Sequence, residues 1–283
     1  MRRLGAQLRK IRVDLGLTLD EAAGIVNISK SALNRIENAH VITRRHEVDY
    51  ITLKYGVTDV DLRASLMGLA AAGRSKDWIK RYGALVPGPA IGDTIRLEQD
   101  STRIRTFQPI VIPGLLQTPE YARTIMLSVV YDPARDVDRS VAFRMARQEV
   151  LTRPQPAVLE AVIGEAALRQ RQGDAEVMRG QLRHLLEMSR MPNVTVRVLP
   201  FNTPRSPGVE GPFNIFDVET GEFTTAVLES LTRSVVVEDD TEVDRYIMVF
   251  NDLCALGLTQ SATRAFIERV LNEWEIPLEE VTP

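Results

Sequence analysis

The stretch from Leu15 to Glu37 constrains the fold more than any other, because it has room for two short helices and a tight turn and for little else. Thr18 followed three residues later by Glu21 is a capping box, which opens a helix running through Val26. Asn27 tolerates the left-handed backbone that a tight interhelical turn demands. Ser29 then caps a helix over residues 30–37, and Asn38 closes it. Upstream, Leu4, Leu8, Ile11 and Leu15 recur at helical spacing, with Gly16 where such a helix stops. Downstream, a loop bearing His40, Thr43, Arg44 and Arg45 leads to a fourth helix over residues 47–55, which Gly56 ends. Asp59 caps a fifth that reaches about Ala72.

Two helices joined by a short turn can set the second into a DNA major groove while the first crosses above it. Ala23 is small where the helices would approach, and Ile28, Leu33 and Ile36 supply apolar anchors on one face. Lys30, Ser31, Asn34 and Arg35 occupy the opposite, outward face. A helix with that face is equally well a solvated surface helix, and the residues alone leave both readings open. The charge adds one consideration. The chain carries −3 overall, yet residues 1–75 hold 12 Lys and Arg against 8 Asp and Glu, net +4, which leaves −7 on the remainder. A basic end on an acidic body fits a segment that faces nucleic acid.

Length and punctuation argue for a multi-domain chain. The polar break Gly73-Arg74-Ser75-Lys76 places an all-α, five-helix domain at residues 1–74. A hinge at residues 75–92, with Trp78, Tyr82 and Pro87-Gly88-Pro89, leads to an α+β domain over residues 93–283. In that domain the pattern predicts a helix over 91–103, an extended stretch over 106–112, helices over 119–130 and 136–152, a strand over 158–163 and a helix over 177–191. Strands over 194–199, 213–218, 225–231 and 234–237 and helices over 242–256 and 261–274 follow. Val194, Val196 and Val198 alternate with Thr195 and Arg197, the period of a half-buried strand.

The run from Leu15 to Glu37 resembles the phage-repressor, or Xre-type, helix-turn-helix family in its five-helix arrangement, over about residues 3–72. Ile104 to Arg123, with Leu151 to Pro156, Pro192 to Phe201 and Gly211-Pro212-Phe213, resembles the actinobacterial domain of unknown function DUF5753. The combination is similar to the WhiJ-like regulators of Streptomyces, which implies a developmental or specialised-metabolism regulator, most simply a repressor.

By that resemblance Lys30 and Ser31 stand where phage repressors read base edges, with Asn34 and Arg35 one turn later. Lys and Arg suit guanine O6 and N7, and Ser and Asn can donate or accept. The resemblance gives phosphate contacts to Arg44 and Arg45, with Thr18, Ser29, Asn38, Arg2 and Arg3 as further candidates. It makes Arg12 and Glu37 a structural ion pair between the first helix and the third. Two departures stand out: Leu19 replaces the family's usual Gln, and Asn27 its turn Gly. The resemblance also implies a homodimer on paired half-sites of double-stranded DNA, contacts made by the acidic domain, a small acidic partner of the DUF397 type, and a small-molecule effector.

The alternatives are an antitoxin-like or scaffold protein that binds DNA for autoregulation, and an enzyme. The acidic domain has no Gly-rich phosphate loop, no Gly-x-Ser-x-Gly elbow and no His-Glu-x-x-His, so no catalytic role and no cofactor is expected. Glu160, Glu165 and Arg169 read as solvated faces. The cluster Glu238, Asp239, Asp240, Glu242 reads as a helix cap rather than a metal site. His40, His46 and His184 lack ligand spacing to one another or to Cys254, which reads as a buried apolar residue. No apolar run reaches the roughly 18 to 20 residues of a membrane span, and the N-terminus lacks a signal peptide's apolar region, so a cytoplasmic protein is expected.

Overall fold

The structure is a computed structural model that describes residues 2–38, 41, 43–72, 89–129, 136–204, 207–218, 223–229 and 234–275. His40, Trp78, Tyr82, Pro87, Gly88 and the break at residues 73–76 lie outside these. The chain divides into two compact units, residues 1–83 with 218–223 and residues 84–217 with 224–283.

The first unit is helical. Its described elements are α1 (Arg2–Asp14), α2 (Leu19–Ile25), α3 (Lys30–Glu37), α4 (Arg45–Lys54) and α5 (Val60–Ala72). Leu4 and Leu8 of α1, Ala22 and Ala23 of α2, Leu33 of α3, Val48 and Ile51 of α4 and Leu66 of α5 are buried. Burying one such side chain contributes about 1.5–3 kcal/mol, which makes this shared core the main support of helices too short to stand alone. Leu15 departs from the expected apolar stripe. It lies past the end of α1 and is 48% exposed, and the buried position on that turn is Arg12.

The second unit is built on a six-stranded sheet in the order β3-β2-β1-β4-β5-β6. The strands are β1 (Ser101–Gln108), β2 (Val158–Gly164), β3 (Val194–Leu199), β4 (Phe213–Val218), β5 (Phe223–Glu229) and β6 (Ser234–Val237). β1, β2 and β3 run parallel, whereas β5 and β6 are antiparallel, so the sheet is mixed and the domain is α+β. The helices are α6 (Pro89–Asp100), α7 (Pro119–Val129), α8 (Val137–Arg147), α9 (Glu165–Arg169), α10 (Ala175–Met188), α11 (Asp240–Leu256) and α12 (Gln260–Glu275).

Strand alternation sends side chains to two cores. On one face Phe107, Val162, Phe213 and Ile215 pack with Val243, Phe250 and Leu253 of α11. On the other, Ile104, Leu159, Val196 and Phe216 pack with Tyr121 of α7, Leu182 and Leu185 of α10 and Ile267 of α12. Two buried ion pairs sit among these layers. Arg105 meets Asp217 at 2.7 Å, with Thr224 donating to the same carboxylate, and Arg147 meets Glu98 at 2.6 Å. Burial works against the Arg147 cation, but the Glu98 carboxylate outweighs it and raises the pKa.

Several boundaries differ from the sequence reading. The helix predicted over 91–103 stops at Asp100, and the extended stretch predicted over 106–112 is a strand from Ser101 to Gln108. Residue 103 closes the predicted helix, yet Arg103 and Arg105 each meet a carboxylate across the sheet, Glu160 and Asp217, so tertiary pairing overrides local propensity. The helix predicted over 177–191 spans Ala175–Met188, because Asp174 caps it by accepting from Val177 N–H. The short helix α9 was not anticipated. Asp239 caps α11 through Glu242 N–H, as its sequence position implies. No helix among the described residues is long and apolar enough to cross a membrane.

Candidate nucleic-acid interface

The turn between α2 and α3 is set by one residue. Asn27 has φ +52°, the only positive φ outside glycine among the described residues. That conformation costs an ordinary L-residue roughly 1–2 kcal/mol, which the short polar side chain of Asn lowers. The entrance to each helix is fixed by a hydroxyl. Thr18 accepts from Glu21 N–H at 3.3 Å, while its own N–H and hydroxyl donate to the Glu21 carboxylate at 2.8 and 2.7 Å. These bonds hold the Glu21 pKa below the usual carboxylate range. Ser29 Oγ accepts from Ala32 N–H at 3.1 Å and starts α3 at Lys30.

With α3 so anchored, Leu33 and Glu37 are buried and Lys30, Ser31, Asn34 and Arg35 are all exposed. Ile28 and Ile36 are half-buried. Lys30 Nζ meets Asp20 Oδ2 of α2 at 2.5 Å, both side chains largely solvated. Asn34 accepts from the Asn38 side chain, which also donates to Asn34 O at 2.8 Å and so closes the last turn.

Behind that face, Arg12 donates to Glu37 from Nε at 2.7 Å and Nη2 at 3.0 Å, and from Nη1 to Leu17 O at 2.8 Å. One guanidinium therefore ties α1 and the α1–α2 loop to the end of α3, and Glu37 bonding raises the Arg12 pKa. The approach is close: a Cβ on Gly5 would lie 2.3 Å from Glu37 O, so α1 can cross the end of α3 only with glycine there. Tyr55, buried beside this pair, has its hydroxyl pushed up to about 12, mainly by desolvation.

The loop reaches Arg44, whereas Arg45 already belongs to α4. Arg44 is the N-cap of α4, its N–H donating to the Glu47 carboxylate, and Arg45 is the first residue of the helix. Both side chains are exposed and make no ion pair among the described residues. A helix N-terminus is an anion site, and two guanidinium groups there oppose the helix dipole unless an anion arrives. Of the other phosphate candidates, Thr18, Ser29 and Asn38 use their side chains as caps, and Thr18 has its one hydroxyl proton on Glu21. Arg2 belongs to α1 with Arg3, and their side chains lie outside the described set. Sequence reasoning missed Asp20 and Gly5, which matter only once α2, α3 and α1 are placed side by side.

A helix-turn-helix domain model matches residues 3–66, and a domain of unknown function (DUF5753) matches residues 91–269. No curated protein and no solved structure matches the chain.

Proposed function

Because the chain belongs to the DUF5753 family and carries a helix-turn-helix domain ahead of it, we propose that it is a sequence-specific transcription regulator, acting as a repressor on paired half-sites. The observation that carries this reading is the shared exposure of Lys30, Ser31, Asn34 and Arg35 on α3, whose Leu33 is buried. In the proposed complex these four read base edges in the major groove. Arg44 and Arg45, with the N-terminus of α4, grip a phosphate.

One helix reads only a few base pairs, so two copies are required, and the DUF5753 domain supplies the dimer contact. We assign that domain a receiving rather than a catalytic role: it takes a small-molecule signal, or a small acidic partner of the DUF397 type, and alters DNA affinity. The resemblance to WhiJ-like regulators supports a target in development or specialised metabolism, in the compartment that holds the chromosome. Selection of bound fragments from genomic DNA, followed by footprinting, tests the proposal. Two protected half-sites about 10–10.5 base pairs apart, or a multiple, are expected. A single unpaired footprint would overturn the dimer, and no enriched fragment would overturn sequence-specific binding.

A further inference from the structure

We propose that the DUF5753 domain binds a small, neutral, two-ring aromatic molecule, in a groove formed by strands β4 and β5, helix α11 and the short turn Pro207–Glu210. The groove has a volume of about 340 Å³. That is more than twice the roughly 150 Å³ of a cavity that takes up benzene, and it falls in the range of about 300–1,000 Å³ of small-molecule sites.

Glu242, Arg245, Tyr246 and Val249 all line the groove, and their spacing of three, four and seven residues puts them on one face of α11. Phe213 of β4 and Leu228 of β5 line it from the sheet. The Phe213 and Tyr246 rings meet at 5.3 Å and 58°, and Phe107 supports Phe213 from behind at 5.9 Å. Rings tilted in this way present both an edge and a face, which is the geometry that accepts a further aromatic ring. The charged lining residues are Glu242 and Arg245, one of each sign and both exposed. They cancel, so the lining favours neither an anion nor a cation. The hydrocarbon of Leu228, Val249 and the two rings then decides what enters, and the charged pair is left to hold a hydroxyl or carbonyl at the mouth.

The third wall is built by two glycines. A Cβ on Gly208 would lie 2.4 Å from Phe107 Cζ and 3.3 Å from Leu253 Cδ2, so the turn rests directly on the core only because this residue has no side chain. Gly211 has φ +107°, a conformation that other residues rarely adopt, and there the chain swings into β4. Pro207 and Pro212, which line the groove on either side of this bend, restrict the backbone further. The groove is therefore formed before a ligand arrives, which lowers the ordering cost of binding. Gly211-Pro212-Phe213 is one of the motifs that carry the DUF5753 resemblance, and all three of its residues line this groove.

This inference rests on the receiving role of the domain, and its test needs no DNA, so its failure and that of DNA recognition are separable. Thermal unfolding of the full chain is followed at neutral pH with 2-naphthol, with the anion 2-naphthoate, with the cation 2-naphthylmethylammonium, and with the one-ring phenol. At ten times its Kd, 2-naphthol is expected to raise the midpoint of the DUF5753 domain by about 4 °C, and the other three at the same concentration to leave it in place. Val249→Gln, which sends a longer polar side chain into the groove, and Tyr246→Ala should each remove the shift. Val249 is half-buried, so Val249→Gln should keep the ligand-free midpoint within a few degrees. Met248→Ala, at a position 67% exposed on the same helix and outside the lining, should keep the shift. The proposal is overturned if 2-naphthol gives no shift up to about 1 mM, if phenol or either charged analogue matches it, or if the shift survives in both lining variants. It is overturned equally if 2-naphthol has no effect and Val249→Gln changes the oligomeric state in sedimentation, since the groove would then be a contact between copies of the chain.

Discussion

Lys30 is presented outward and held at the same time. Its pair with Asp20 is solvated at both ends, with side chains 59% and 66% exposed, and such pairs are worth about 0–1 kcal/mol. A guanine edge or a phosphate can therefore displace Asp20 at little cost. Asp20→Asn is expected to strengthen binding to all duplexes and to steepen the log Kd against log salt slope by about one unit, read by anisotropy over a salt series. A slope equal to wild type would mean that Asp20 does not compete with DNA. Replacing Ser31 or Arg35 by Ala is expected to cost about 1–3 kcal/mol at the specific site while nonspecific affinity holds, as measured by competition. The Arg12–Glu37 pair behaves otherwise, since its side chains are 11% and 3% exposed. Glu37→Ala leaves a buried cation and should destabilise the helix-turn-helix domain by about 3–5 kcal/mol in denaturant titrations of the full chain. Ser29 and the capping residues were legible in the sequence because their partners lie three residues away. Asp20 was not, because its contact with Lys30 exists only after two helices are set at an angle.

Among the elements, the α2–α3 turn and the α1–α3 crossing decide whether the reading helix is presented at all. Gly5→Ala places a methyl against the backbone of Glu37 and should cost about 1–3 kcal/mol, the range for an overpacked contact, in the same titrations. A neutral result would mean that α1 can back away from α3 freely. In α10, His184 is half-buried, and its Nε2 has no hydrogen-bond partner among the described residues. Desolvation lowers its pKa, with Glu187 opposing. The folded state therefore takes up this proton less readily than the unfolded chain, whose His titrates near about 6.5. The stability is complete above that value and declines as pH falls below it, and His184→Gln should flatten the decline in thermal melts. The strands over 194–199, 213–218 and 234–237 were readable to the residue, since alternation and turn signals agreed. The α6–β1 boundary was not, because Arg103 and Arg105 take their conformation from Glu160 and Asp217, far away in sequence.

For the whole molecule, an acidic chain binds DNA only if its positive charge is local, and here the basic excess and the exposed face of α3 fall in the same unit. The sequence shows that excess directly, whereas the buried pairs Arg105–Asp217 and Arg147–Glu98 of the larger domain emerge only when its sheet and helices are assembled. The most direct measurement is the affinity of the full chain for a fragment selected from genomic DNA against a scrambled duplex of equal length, at one salt concentration, in wild type and in a Lys30→Ala, Ser31→Ala double variant. Wild type is expected to prefer the selected fragment by roughly 10³-fold or more, and the variant to lose most of that ratio while keeping its affinity for the scrambled duplex. Equal affinity of wild type for both duplexes, or an unchanged ratio in the variant, would contradict it.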